Sequence, residues 1–103
     1  MIRIPRMRIE FEDKELLELL KRKKSPKGIP PEVLISFQKK VKIIQSAKNQ
    51  LDIRQIKGLR LEKYNDDKHS IRLNRSWRMM LMFLNDDEGE LVVIIEINNH
   101  YGD

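Results

Sequence analysis

Cations near the ends of apolar segments are the residues of this chain best suited to chemistry. Arg72 and Arg78 carry planar guanidinium groups, whose donors match the oxygens of a phosphate. His100 follows the last apolar segment, and histidine exchanges its proton near neutral pH. Lys63 and Lys68 are candidate bases where neighbouring cations favour the neutral amine. RNA cleavage by its own 2′-hydroxyl requires such a set: a base, an acid and donors to the phosphate.

The same residues also have structural explanations. His69 lies on the strand parity opposite Arg72, so we predict that it is structural. A histidine placed like His100 can simply be solvated. Arg78 interrupts an apolar segment, and a guanidinium there needs a partner because it keeps its charge. Two interpretations of Arg78 therefore stay open: a structural ion pair with Glu96, and a functional anion site.

Two predicted strands joined by a polar turn carry most of these cations. The alternation of apolar and polar residues over 70–74 predicts a strand with one buried face. Asparagine and serine suit the tight turn at 74–76. Residues 77–84 are apolar at every position but one, a pattern typical of a strand covered on both faces. A turn at 85–89 leads to another apolar strand, 91–97.

The first half of the chain predicts one strand and two helices. Residues 7–11 alternate as a strand does. Asp13 can cap a helix that ends in the basic run at 21–24. A long amphipathic helix is predicted over 30–51, starting at two prolines. The connection that follows can include a short strand at 59–64.

The predicted order is therefore strand, helix, helix, strand, strand, strand, which is an α+β architecture. We expect one domain over 1–103, because a chain of this length supports one modest core. Both helices are expected on one face of a small, mostly antiparallel sheet. The second face is then free to be a working surface.

Charge is distributed unevenly along the chain. The net charge is +5, yet all 21 Lys and Arg lie at or before Arg78 together with ten of the 16 acids, which gives that part a charge of +11. The remaining segment holds six acids and no Lys or Arg. A basic bulk favours a polyanionic partner such as RNA, since cations release counterions from phosphates. Many ordinary basic proteins share this pattern.

Composition excludes several functional classes. The chain has no cysteine, so neither disulfides nor a cysteine-ligated metal is available. It has no phosphate-binding glycine loop, zinc motif or serine triad. The longest apolar run, 79–84, is far short of the roughly 20 residues of a membrane helix, and the N-terminus has charges where a signal peptide is apolar. We expect a cytoplasmic protein without a cofactor, metal ion or membrane segment.

One block resembles the signature of a known family. Ser70-Ile71-Arg72-Leu73-Asn74-Arg75-Ser76-Trp77-Arg78 is similar to the Ser-Ile-Arg-Ile-Asn-x-x-Trp-Arg signature of the HigB-like toxins in the RelE superfamily. Arg60-Leu61-Glu62-Lys63 resembles the stretch that leads into it. The terminal strand resembles the family's closing strand, which commonly ends Asp-Tyr-His. The start Met1-Ile2-Arg3 and the two helices also fit, so the resemblance covers nearly the whole chain.

This resemblance implies a RelE-like fold and a bacterial type II toxin. The implied activity is cleavage of messenger RNA on the ribosome by a metal-independent endoribonuclease that inhibits translation. The implied partners are the ribosome, mRNA and a cognate antitoxin, often a helix-turn-helix protein of the HigA type that also represses the operon. No membrane partner is implied.

The resemblance also implies roles for single residues. By position, Arg78 would stabilise the phosphate, Arg72 or Arg75 would hold RNA or phosphate, and His100 would assist proton transfer or orient the substrate. The expected catalytic set is Arg78, His100, Arg72, Lys68 and Lys63. Further RNA contacts are expected from Arg75, Arg60, Lys57 and Tyr101.

The chain departs from the family pattern at two places. The loop before Ser70 is shorter than the family's glycine-containing loop, which leaves the catalytic lysine open between Lys63 and Lys68. Asn99 replaces the tyrosine before the final histidine, and Tyr101 follows instead. Two alternative functions therefore stay open. One is a weak or nuclease-dead relative that acts through antitoxin binding and operon regulation; the other is a small basic RNA-binding protein.

Overall fold

Five strands and three helices make up residues 7–99, the part of the chain that the computed structural model describes. The strands are Arg8–Phe11 (β1), Glu62–Lys63 (β2), Lys68–Arg72 (β3), Trp77–Asp86 (β4) and Gly89–Asn99 (β5). The helices are Lys14–Leu19 (α1), Pro31–Ser46 (α2) and Gln50–Arg54 (α3), with a short 3-10 helix at Lys57–Leu59. Within these residues, no helix combines the length and the apolar composition needed to cross a membrane.

The strands form one mixed sheet in the order β1-β5-β4-β3-β2. β1 runs parallel to β5, and the other three pairings are antiparallel. The α+β class and the mostly antiparallel sheet are therefore confirmed. The predicted element order is wrong, because a third helix lies between the second helix and the strands that follow. The short strand that the connection could include at 59–64 is present as β2, which has two residues.

α1 begins where the sequence predicts and ends earlier. Asp13 caps it, its Oδ1 accepting from a backbone N–H of the first turn at 2.9 Å. The helix ends at Leu19 and not in the basic run at 21–24. Gln38 of α2 donates from Nε2 to the carbonyls of Leu19 and Arg22, each at 2.9 Å. A side chain from another helix thus satisfies carbonyls that a longer α1 would have bonded internally.

The long helix predicted over 30–51 is two helices. α2 ends at Ser46, and Asn49 starts α3 by accepting from the backbone N–H three residues on, at 2.9 Å. This asparagine cap is a local signal that outweighs the hydrophobic periodicity. Leu51, the last residue of the predicted helix, is 60% exposed, whereas Ile53 is fully buried.

The two faces of the sheet have different surroundings. The helix face contributes Met79 and Leu81 of β4 to a core shared with Phe37 and Ile44 of α2. The opposite face, called the open face below, carries the residues of β4 that alternate with Met79 and Leu81, and their cross-strand neighbours. It lies outside this core, so the helices cover β4 on one face only, although Met80 on the other face is also buried. Its apolar residues pack on cross-strand neighbours instead, as Leu84 does opposite Leu91.

The turn between β3 and β4 sets the register of the central hairpin. Asn74 Oδ1 accepts from the backbone N–H groups of Ser76 and Trp77, both at 2.8 Å. The polar turn predicted at 74–76 is therefore confirmed. The next hairpin turns through only two residues before Gly89, whose φ of +112° suits glycine.

Candidate functional site on the open face

A cleft of about 360 Å³ opens on the open face between β2 and β5. The pairing register places Ser70, Met80 and Glu96 side by side on neighbouring strands. Ser70 and Met80 are buried and form the floor, whereas Glu96 is exposed. The cleft is lined by Tyr64, Lys68, Ser70, Arg78, Met80, Ile95, Glu96 and Asn98.

Arg72 and Arg78 face each other directly across the β3–β4 pair on this face. Directly opposed residues have Cβ atoms about 5 Å apart, and like charges in that position destabilise a sheet. Arg72 is exposed at the strand end, and the Arg78 side chain is 28% exposed. Such an arrangement attracts an anion, because an anion between the two guanidinium groups removes their repulsion.

Arg78 pairs with a carboxylate other than the predicted one. Its Nη1 lies 3.4 Å from Oε2 of Glu62 on β2. The sequence prediction of a pair with Glu96 is wrong. Asn98 occupies the position opposite Arg78, and Glu96 instead accepts from Asn98 Nδ2 at 3.2 Å.

The two candidate lysines lie on opposite faces. Lys68 pairs with Met82 in the register of the open face and lines the cleft. Lys63 pairs with His69, which belongs to the helix face. The structure thus brings Lys68 together with Arg78 and places Lys63 on the other parity.

His69 is almost fully buried on the helix face, as its strand parity predicts. Arg54 Nη1 lies 3.3 Å from its Nε2, and since a guanidinium only donates, Nε2 is the acceptor and the ring is neutral. Phe83 contacts both groups. Its ring centroid is 4.8 Å from that of His69, edge to face, and 4.7 Å from the Arg54 guanidinium carbon.

This environment lowers the pKa of His69 below its ordinary value. The main cause is burial, which disfavours the charged ring, and the positive charges of Arg54 and Lys63 act in the same direction. The backbone of Asp67 acts on this pKa in the opposite direction. A buried, neutral histidine on the helix face cannot reach a substrate on the open face.

The remaining predicted residues lie around the cleft or outside the described part of the chain. Arg75 is exposed at the tip of the β3–β4 turn, at the same end of the sheet as Arg78. Lys57 and Arg60 are exposed in the segment before β2 and do not line the cleft. His100 and Tyr101 fall outside residues 7–99.

Sequence reasoning missed Tyr64, which lines the cleft, and Glu62, which pairs with the cleft residue Arg78. Both lie at the edge of the sheet, since Glu62 is in β2 and Tyr64 follows it directly. β2 has only two residues and therefore shows no alternation. A usable signal was present nonetheless. Glu62 and Tyr64 share one parity, and tyrosine is the only aromatic residue in the polar stretch before β3.

A model of one protein family matches residues 9–100, most of the chain. Its description is a RelE-like toxin of the type II toxin-antitoxin system HigB. The chain belongs to the HigB-like toxin family. No curated protein and no solved structure matches it. As a HigB-like type II toxin it has a cognate antitoxin as its partner.

Proposed function

We propose that this HigB-like toxin is an endoribonuclease that cleaves messenger RNA on the ribosome and so inhibits translation. The observation that carries the proposal is the placement of Arg72, Arg78 and Lys68 on one face of the sheet, outside the helix core. Two arginines directly opposite each other on paired strands repel, which is unfavourable for the stability of the sheet. Their arrangement is explained by a phosphate that both can bind.

The roles follow from the chemistry of each group. Arg78 and Arg72 donate to the phosphate whose charge grows during attack of the 2′-hydroxyl. Lys68 lines the cleft together with Arg78 and supplies a further positive charge or transfers a proton. No metal ion is required in this scheme, because the cations of the chain stabilise the phosphate.

His100 completes the set as a proton donor or an orienting group. The last described residues of β5, Asn98 and Asn99, pair with Arg78 and Trp77. The described part of β5 therefore ends at the same end of the sheet as Arg78. Arg75, Arg60, Lys57 and Tyr101 are proposed as RNA contacts outside the reacting centre.

The site has few conventional catalytic groups, which supports the proposal that the protein needs the ribosome to cleave its substrate. His69 is buried on the helix face, and no cluster of three His, Asp or Glu residues within 7–99 could hold a metal ion. With few catalytic groups, the reaction depends on the ribosome to hold the message in the reactive geometry. Such positioning contributes a large part of the rate enhancement of many enzymes. The ribosome, messenger RNA and a helix-turn-helix antitoxin of the HigA type are the proposed partners, in the cytoplasm.

The ion pair between Arg78 and Glu62 favours a second candidate function. A guanidinium already held by a carboxylate at 3.4 Å is less available to a phosphate. The protein would then act mainly by binding its antitoxin and tuning transcription of the operon. In this case antitoxin binding is tight and the message stays intact.

The test is primer extension on a reporter message in a translating extract. Wild type is compared with Arg78→Ala, His100→Ala and a control, Lys39→Ala, whose residue is exposed on α2. We expect cleavage that requires ribosomes and is lost in both site variants while the control keeps the wild-type rate. Intact message with wild type, together with tight antitoxin binding, would instead establish the second function. Full cleavage by both site variants would refute the residue assignment.

A further inference from the structure

We propose that the open-face cleft holds one nucleotide of the message, with Tyr64 stacking on its base and Glu96 selecting bases that offer an amino group. The inference rests on the proposed endoribonuclease function and adds a specificity to it. The cleft of about 360 Å³ is in the size range of sites for small ligands and is too small for a duplex.

Tyr64 has the position of a stacking platform. Tyr64 is 68% exposed although it is aromatic, and it lines the cleft together with Lys68. The backbone around it is held tightly: Tyr64 N donates to the Lys68 carbonyl at 2.9 Å, and Asn65 Oδ1 accepts from Lys68 N at 3.0 Å. An exposed aromatic ring on an ordered hairpin suits a nucleobase, because every base offers a π-face.

The floor of the cleft is suited to the flat face of a base. Met80 is buried at the centre of the open face, and its thioether can contact an aromatic ring favourably. Ile95 adds a second apolar wall, since a register shift between Met80 and Leu81 gives β5 an extra residue beside Glu96. The cations Lys68 and Arg78 then lie where they can hold the attached phosphate.

Glu96 is the residue that a pure phosphate site does not explain. A carboxylate lining a cleft with Lys68 and Arg78 repels the phosphate backbone, so it has a different task. Asn98 Nδ2 donates to its Oε1 at 3.2 Å, which orients the carboxylate. Its other oxygen makes no hydrogen bond within residues 7–99.

A carboxylate only accepts hydrogen bonds, so its preference among the bases can be derived. Cytosine and adenine each present an exocyclic amino group, and guanine presents an amino group beside a ring N–H. A carboxylate accepting from the cytosine amino group is an established pairing. Uracil presents two carbonyls that flank one N–H, and those carbonyls repel a carboxylate. Glu96 therefore disfavours uracil at the bound position.

The geometry allows both contacts to one nucleotide. β2 and β5 are separated by three interstrand spacings, about 14 Å, and the side chains of Tyr64 and Glu96 line the same cleft from either side. A base stacked on the Tyr64 ring and lying over Met80 presents its edge towards β5. Stacking then contributes affinity for any base, and Glu96 contributes the choice.

The test maps cleavage positions in many messages in a translating extract. The variants are Tyr64→Ala, Tyr64→Phe and Glu96→Gln, with Glu10→Gln as the matched control because Glu10 is exposed on the open face of β1, next to β5. We expect Tyr64→Ala to lower the cleavage rate roughly 5- to 150-fold at all bases, the range of a lost stacking contact. Tyr64→Phe keeps the rate because it keeps the ring.

Glu96→Gln should change the base profile more than the rate. A glutamine amide both donates and accepts, so cleavage at uracil rises relative to the other bases by about 10-fold, while Glu10→Gln leaves the profile unchanged. If wild type cleaves but Tyr64→Ala and Glu96→Gln keep its rate and profile, the nucleotide cleft is refuted and the nuclease stands. If wild type cleaves no message, the proposed function fails and this inference fails with it. Antitoxin binding by each variant verifies that it is folded.

Discussion

His69 shows most clearly how a single residue can be separated from the chemistry. Its ring is buried, accepts from Arg54 and has a lowered pKa, so it is neutral in the folded protein. In the unfolded chain the same ring has its ordinary pKa, about 6.5. The unfolded state therefore binds the proton more readily, and protonation favours unfolding.

The consequence is a pH-dependent stability. The contribution of neutral His69 is fully present above about pH 6.5 and is lost as the pH falls from there through the lower folded-state pKa. We expect the urea midpoint of wild type to fall between pH 7.5 and pH 5.5 by more than that of His69→Gln. Equal losses in the two proteins would contradict this assignment. Ribosome-dependent cleavage by His69→Gln, assayed at pH 7.5, should be retained.

The sequence revealed some of the site residues and concealed others. Arg72 and Arg78 are equally distant in sequence from the centre of the turn at 74–76. Their cross-strand pairing therefore follows from the position of the turn. Arg78 was recognisable as a charge in an apolar strand. Its partner Glu62 was not, because a strand of two residues shows no pattern and its pairing depends on the folded sheet.

The β3–β4 hairpin is the element that positions the two arginines. Asn74 accepts two backbone hydrogen bonds in its turn, and alanine would remove both. We expect Asn74→Ala to lower the free energy of unfolding by about 1–2 kcal/mol, measured by urea denaturation.

Arg75→Ala is the matched control at the next position. Its side chain is exposed at the turn tip, so the free energy of unfolding should change by less than about 0.5 kcal/mol. A loss of stability in Arg75→Ala equal to that in Asn74→Ala would show that the two hydrogen bonds of Asn74 are not what holds the turn.

Helix boundaries were predicted less well than strand positions, for identifiable reasons. The end of α1 depends on Gln38, which is distant in sequence. The break before α3 had a local signal in Asn49, which the hydrophobic periodicity of 30–51 obscured. Strand β1 and the hairpins were recognisable because alternation and turn residues are local features.

Charge is separated along the sheet. Arg78 is the second residue of β4 and Asp86 is its last, so the basic end and the acidic end of this strand lie roughly 25 Å apart. At the acidic end Arg8 of β1 binds Asp86 and Glu88. The hydrogen bond from Arg8 lowers the pKa of Asp86, which keeps that carboxylate charged. In the proposed nuclease, this polarity would orient the Arg78 end of the open face towards RNA.

The proposed function depends on the division of the sheet into a helix face and an open face. It could be anticipated from two amphipathic helices and one sheet, whereas the choice between the two lysines required the observed register. Lys63 and Lys68 are the same residue type, lie on adjacent strands and belong to opposite faces.

The most direct test compares Lys68→Ala with Lys63→Ala in the ribosome-dependent cleavage assay, under single-turnover conditions. The open-face site predicts that Lys68→Ala lowers the cleavage rate about 100-fold or more, as loss of a charge-stabilising or proton-transferring group does. Lys63→Ala should remain within a few-fold of wild type. A large loss in Lys63→Ala with an active Lys68→Ala would contradict the assignment of the active surface to the open face.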